Sequence, residues 1–92
     1  MKEMLRYTLK EYLKRLEEAG DLFDHDLMGH ENETVLNLTY NSKNVTENTL
    51  FICKGAAFKE AYLEEAAKSG AFAYISEKKY DVNLPYIIVS DI

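Results

Sequence analysis

Apolar residues recur at helical spacing near the start of the chain and define one packed face. These residues are Leu9, Tyr12, Leu13 and Leu16. Thr8 and Glu11 have the T-x-x-E spacing of a capping box, in which each residue binds a free backbone N–H group of the other. Gly20 stands where a helix commonly ends. The pattern predicts a helix over residues 8–19, followed by an acidic loop over residues 20–33, where no period is sustained.

The rest of the chain alternates apolar segments with one further helix. Alternating apolar residues predict a strand at 34–40, and the continuous run at 50–53 is typical of a strand buried on both faces. An alanine-rich helical pattern spans 59–69, and further apolar runs follow at 71–76 and 86–90. A strand, a helix and a strand joined by short connections form a βαβ unit with parallel strands. We therefore expect an α/β fold with a small parallel or mixed sheet and helices packed on it.

The composition is that of one small globular domain. The chain has 92 residues, 47% hydrophobic and 29% charged, so we expect a single domain over 1–92 with its βαβ core at 34–90. Eleven Lys and Arg residues against sixteen Asp and Glu residues give a net charge of −5, which argues against nucleic acid as a partner. No apolar run approaches the ~18 residues of a membrane span, and the N-terminus lacks the apolar region of a secretory signal. These features predict a cytoplasmic domain with no membrane partner.

The remaining chemically active side chains predict no metal centre and no catalytic residue. Cys53 is the only cysteine and has no base beside it, so we expect a buried core thiol. His25 and His30 lie among acidic residues, but their spacing matches no metal-binding template. The chain contains no phosphate-binding glycine motif, no nucleophile elbow and no zinc-protease motif. The residues thus indicate a binding domain.

Polar and basic residues follow the first two strands that we expect to be parallel. In open α/β sheets, ligands bind beyond the carboxyl ends of the strands, where the loops of neighbouring strands meet. The candidate binding residues in these loops are Tyr40, Asn41, Ser42, Lys43, Gly55, Ala56, Ala57 and Phe58, with Lys54 beside them. Ammonium groups and the start of a helix favour an anion, and the aromatic rings offer flat apolar faces. The alternative interpretation is a common polar turn followed by a glycine that ends a strand.

The order of motifs from residue 36 onward resembles the N-terminal domain of the Mur ligases. The segments that carry the resemblance are LNLTYNSKNVTENTLFICKG, KSGAFAYISE and LPYIIVSDI. The family pattern is a strand followed by D-S-R, a V-x-x-G-x-L-F turn and strand, a Gly-led loop and a helix ending in G-A. An alternating strand and a P-x-I-x-V-x-D segment close the pattern. Within the family the chain is most similar to the UDP-N-acetylmuramyl-tripeptide synthetase type, the MurE type.

The resemblance implies a substrate and a reaction. In the family this domain holds the UDP part of UDP-N-acetylmuramyl-dipeptide, and the enzyme adds lysine or diaminopimelate to its D-glutamate in peptidoglycan synthesis. A central domain binds ATP and Mg²⁺, and a C-terminal domain helps to bind the amino acid. We accordingly expect this chain to be the N-terminal part of a longer ligase, inactive alone and without a cofactor of its own.

The resemblance also assigns roles to individual residues. Ser42 matches the serine of D-S-R, which contacts the UDP moiety, and Tyr40 falls where a side chain packs near the uracil. The loop that closes over the nucleotide matches Gly55, Ala56, Ala57 and Phe58. The chain departs from the pattern at Asn41 and Lys43, which replace an acid and an arginine. A third departure is Asn48, which replaces a turn glycine but tolerates a left-handed backbone.

Two alternatives remain beside this interpretation. One is a MurF-type ligase, which shares the domain pattern and adds D-alanyl-D-alanine. The other is a non-catalytic α/β interaction module that has lost nucleotide binding. Ala56 and Ala57 favour it, because the contacts of their loop to the nucleotide would have to come mainly from backbone N–H groups.

Overall fold

A five-stranded mixed sheet carries two helices. The computed structural model describes residues 7–54 and 58–90. The elements in chain order are α1 (Leu9–Glu18), β1 (Leu22–Asp26), β2 (Asn37–Thr39), a 3-10 turn (Ser42–Asn44), β3 (Thr49–Ile52), α2 (Glu60–Ser69), β4 (Ala71–Ser76) and β5 (Tyr86–Val89). The strands lie in the order β1-β5-β4-β3-β2. The pairs β2–β3, β3–β4 and β4–β5 are parallel, and β1 is antiparallel to β5. The predicted α/β fold with a mixed sheet is confirmed, including the parallel β3–α2–β4 unit.

Helix α1 begins with the predicted capping box. The Glu11 backbone N–H donates to the Thr8 hydroxyl at 3.3 Å, and the Thr8 backbone N–H donates to the Glu11 carboxylate at 2.7 Å. The chain leaves the helix through Gly20, whose φ of +80° is left-handed. Leu9 is fully buried beneath the helix. Both ends of α1 thus follow from the local sequence.

Two groups of buried side chains lie on the two faces of the sheet. One contains Leu9 of α1 and Leu50 of β3, and the other contains Phe51 of β3 and Leu63 of α2. Successive residues of a strand point to opposite faces, so the helices cover opposite sides of β3. Burying a side chain of this size contributes about 1.5–3 kcal/mol. The prediction that the segment from Leu50 to Cys53 is buried on both faces is confirmed, because Leu50, Phe51 and Cys53 are all buried.

The prediction of a loop throughout residues 20–33 is wrong, because β1 lies within that range. β1 pairs with β5 at one edge of the sheet, with Leu22 opposite Val89 and Asp26 opposite Tyr86. All residues of β1 after Leu22 are exposed. An exposed edge strand is held chiefly by backbone hydrogen bonds to its neighbour, and it lacks the apolar alternation by which strands are detected in sequence.

The strand predicted at 34–40 is shorter in the structure. The early residues of this range pair with the segment before α1, since the Val35 N–H donates to the Tyr7 carbonyl oxygen at 2.8 Å. Only Asn37–Thr39 form β2 beside β3.

Neither α1 nor α2, the two helices of the described residues, has the length and apolar character of a membrane span.

Helix α2 ends in close contact with the connection between β2 and β3. Gly70 has a φ of +129°, which residues with a side chain rarely adopt. A Cβ atom at this position would lie 2.5 Å from the carbonyl oxygen of Thr46. The close approach therefore requires glycine and fixes the end of α2 against the connection that contains the 3-10 turn.

Replacing Gly70 by alanine is expected to lower the free energy of unfolding by about 2–4 kcal/mol, because backbone strain adds to the steric conflict with Thr46. Gly20→Ala is the matched control, since Gly20 also has a positive φ but no atom within 4 Å of an added Cβ. This control should cost about 1–2 kcal/mol. Urea unfolding of both variants measures the difference. Equal losses would contradict the argument from close approach.

Candidate functional site

The predicted binding residues lie beyond the carboxyl ends of two adjacent parallel strands. β2 and β3 are paired in parallel, with Leu38 opposite Leu50 and Thr39 opposite Phe51. The loops that follow therefore start side by side. Lys54, after β3, places its Nζ atom 5.4 Å from the centroid of the Tyr40 ring. This cation–π contact joins the two loops, so the predicted meeting of these strand ends is confirmed.

Tyr40 is largely exposed to solvent. The residue is 64% exposed, although Lys54 lies over one side of its ring. An exposed aromatic ring provides an apolar surface on which a flat ligand can stack. The pair can offer a ring face and an ammonium group to one ligand.

Asn41 shapes the start of the 3-10 turn. Its side-chain oxygen accepts a hydrogen bond from the backbone N–H of Lys43 at 2.9 Å. Its own N–H donates to the Thr39 hydroxyl at 3.1 Å, and its carbonyl oxygen accepts from the Asn44 N–H at 2.9 Å. Asparagine commonly forms such local turns with the backbone. The side-chain oxygen of Asn41 is therefore engaged within the loop.

Ser42 is bound to helix α2 through a residue that sequence analysis did not select. Its hydroxyl donates to the Glu65 carboxylate at 2.8 Å. Ser42 is partly buried and Glu65 is exposed. In the sequence, Glu64 and Glu65 have the appearance of the solvated side of a helix, and only the packing of α2 against the turn reveals the contact.

Two lysines give the site its positive charge. Lys43 and Lys54 are both exposed. In residues 7–54 and 58–90, neither lysine forms an ion pair with a carboxylate. Exposed ammonium groups attract anions. The arrangement is suited to an anionic ligand with a flat apolar part.

The second loop is described only at its ends. The predicted residues Gly55, Ala56 and Ala57 lie outside the described residues. Phe58, at the far end of the loop, is partly buried and packs against the core group of Phe51. Its ring centroid lies 5.4 Å from that of Tyr80. Phe58 thus has a packing role, and its contact with a ligand stays a prediction.

The remaining chemically active side chains are one buried thiol and two histidines. Cys53 is buried, as predicted, and burial raises the pKa of its thiol to about 12. The imidazole Nδ1 of His30 lies 2.6 Å from the carboxylate of Glu33, while His25 is exposed on β1. In the part of the chain that the structure describes, no group of three or more His, Cys, Asp or Glu residues is placed to hold a metal ion.

Curated relatives of this sequence are ligases. The UDP-N-acetylmuramoyl-L-alanyl-D-glutamate–L-lysine ligase of Enterococcus faecalis is 45% identical over 85 residues, covering 91% of this chain and 16% of the relative. The enzyme of the same name from Streptococcus thermophilus is 48% identical over 74 residues, covering 80% and 13%. That of Streptococcus pneumoniae is 53% identical over 55 residues, covering 60% and 11%. The chain therefore spans about one tenth to one sixth of the length of these relatives. No family model matches the chain.

Solved structures share the fold at low sequence identity. A crystal structure of MurF from Acinetobacter baumannii superposes with a TM-score of 0.73 and 14% identity, covering 96% of this chain and 19% of that one. A second structure, of UDP-N-acetylmuramoylalanyl-D-glutamyl-2,6-diaminopimelate–D-alanyl-D-alanyl ligase from the same organism, has a TM-score of 0.71. At this identity the likeness establishes the fold alone.

Because the thiol of Cys53 is buried, we expect the free energy of unfolding to fall at alkaline pH. In the unfolded chain the thiol ionises near its ordinary pKa of 9.0, whereas in the folded chain it keeps its proton up to about pH 12. The unfolded state then binds fewer protons, so the free energy of unfolding falls by about 1.4 kcal/mol per pH unit between these values. Below pH 9 this contribution is constant.

Urea unfolding at several pH values from 8 to 11 measures this effect, with Cys53→Ala as the control. The variant removes the titrating group, and its stability should decline less steeply with pH than that of the parent chain. Parallel declines would show that Cys53 does not cause the alkaline loss.

Proposed function

We propose a function for this chain on the premise that it belongs to the Mur ligases, as their N-terminal domain. In this proposal it holds the UDP part of UDP-N-acetylmuramoyl-L-alanyl-D-glutamate, the substrate of an ATP-dependent ligase that adds L-lysine. The observation that carries the proposal is the likeness to a named L-lysine ligase over nine tenths of the chain. The two adjacent strand ends, with their aromatic and basic side chains, support the location of the site.

The proposed binding mode assigns separate roles to the ring and to the charges. The uracil stacks on the exposed face of Tyr40, and the diphosphate lies near Lys43 and Lys54. Lysine provides a compact charge without the paired hydrogen bonds of arginine, so Lys43 attracts the diphosphate but fixes its orientation less than the family's arginine. Ser42 and the loop at 55–58 complete the contacts in this proposal.

The remaining parts of the reaction require the rest of the enzyme. We place ATP and Mg²⁺ on a central domain, and part of the amino-acid site on a C-terminal domain, both in the same polypeptide as residues 1–92. The chain alone then binds substrate without catalysing the reaction, and the whole enzyme works in the cytoplasm. We propose L-lysine, and not the dipeptide D-alanyl-D-alanine, as the added group because the named sequence relatives are lysine ligases. The likeness to MurF concerns the fold alone.

Lys54→Gln is expected to weaken UDP binding about three- to tenfold, because an exposed charge-assisted contact to the diphosphate is lost. The loss should be smaller for UMP, which has one phosphate. Amide-resolved NMR titration of the 92-residue chain with UDP, UMP and inorganic phosphate measures these affinities. In the parent chain, UDP should shift residues 40–44 and 54–58 more than phosphate does.

Lys14→Gln is the matched control, since Lys14 is an exposed lysine on α1. It should leave the affinity for UDP unchanged. A folded parent chain that shows no shifts at millimolar UDP would contradict nucleotide binding by this domain and favour the interaction-module alternative. If both lysine variants weaken UDP binding equally, the loss is a general effect of net charge and not of a local contact with Lys54.

A further inference from the structure

The hydrogen bond between Ser42 and Glu65 links the 3-10 turn of the candidate site to helix α2. Ser42 Oγ lies 2.8 Å from Glu65 Oε1. The backbone around Ser42 is fixed by the turn that Asn41 caps, and α2 is fixed against the same connection where Gly70 meets Thr46. Both partners therefore stand on restrained backbone, and the contact sets the orientation of the serine hydroxyl.

The contact also determines what kind of group Ser42 can bind. A serine hydroxyl has one hydrogen to donate and two lone pairs, whereas a carboxylate oxygen only accepts. Glu65 therefore takes the single hydrogen, and Ser42 Oγ presents lone pairs to a ligand. Phosphate oxygens of a diphosphate are acceptors too, so they are poor partners for this oxygen. An N–H or O–H donor is the matching group, and in UDP these are the uracil imide and the ribose hydroxyls.

We propose that Glu65 is a positioning residue for nucleotide binding, which holds the Ser42 hydroxyl as an acceptor for an N–H or O–H donor of the uridine. The inference rests on the proposed function. In this binding mode the lysines contact the diphosphate, and Ser42 contacts the uridine. Glu65 does not touch the ligand, and its carboxylate acts through Ser42 alone.

Glu65→Ala should weaken UDP binding about three- to tenfold, the equivalent of one lost hydrogen bond of roughly 1 kcal/mol. Glu65→Gln keeps an acceptor oxygen for Ser42 and should bind UDP within about twofold of the parent chain. Neither variant should weaken the binding of pyrophosphate, which lacks the uridine and therefore has no N–H or O–H donor for Ser42. Glu64→Ala, at an exposed neighbouring carboxylate, is the control and should change neither affinity.

A double-mutant cycle separates positioning from a general structural effect. In the Ser42→Ala background, Glu65→Ala should cause no further loss of UDP affinity. UDP methylated at N3, 2′-deoxy-UDP and 3′-deoxy-UDP then identify the donor. The analogue that lacks the relevant donor should bind the parent chain and Glu65→Ala equally well.

The results that overturn the inference differ from those that overturn the proposed function. Equal losses for Glu65→Gln and Glu65→Ala, a loss that persists without Ser42, or weakened pyrophosphate binding would each refute the positioning role while nucleotide binding stands. A Glu65→Ala loss that survives with all three analogues would refute the donor assignment. A folded parent chain that binds no UDP would refute the proposed function, and this inference with it. Amide spectra of each variant establish that it is folded.

Discussion

Because Leu50 and Phe51 are buried on opposite faces of β3, this strand requires an apolar helix surface on each side. α1 and α2 meet that requirement. A strand without a solvent-facing side also needs hydrogen-bonded neighbours at both edges, and these are β2 and β4. The parallel pairing of β2 with β3 then brings Tyr40 and Lys54 together at one edge. The location of the candidate site is thus a consequence of how β3 is buried.

The elements that sequence analysis predicted well are those with a local cause. The capping box of α1, and the apolar runs of β3, β4 and β5, are signals carried by the segments themselves. Asn48, which replaces a turn glycine, has the left-handed φ of +56° that asparagine tolerates. β1 escaped prediction because its residues after Leu22 are exposed, Phe23 to 78%, and the strand is held by the pairing of Leu22 and of Asp24–Asp26 with β5. β2 is shorter than predicted because Val35 pairs with Tyr7, far away in the sequence.

The residues of the candidate site also differ in whether a local sequence signal indicates them. Strand ends mark the loops, so Tyr40 and Lys54 were accessible to reasoning from sequence. The particular role of Asn41, as a cap that binds the Lys43 N–H, requires the geometry of the turn. Glu65 could not be found in the sequence at all, since an acidic residue on a helix surface is usually solvated and nothing local relates it to Ser42, 23 positions earlier. Tertiary packing of α2 on the turn creates that contact.

The central claim, that the carboxyl edge of β2 and β3 binds the uridine nucleotide, is tested most directly by intermolecular nuclear Overhauser effects in the UDP-bound chain. The account predicts contacts from the uracil H5 and H6 protons to the ring of Tyr40. Contacts confined to another aromatic and basic pair, such as Tyr7 and Arg15 beside α1, whose guanidinium lies 4.4 Å from the ring centroid, would contradict it.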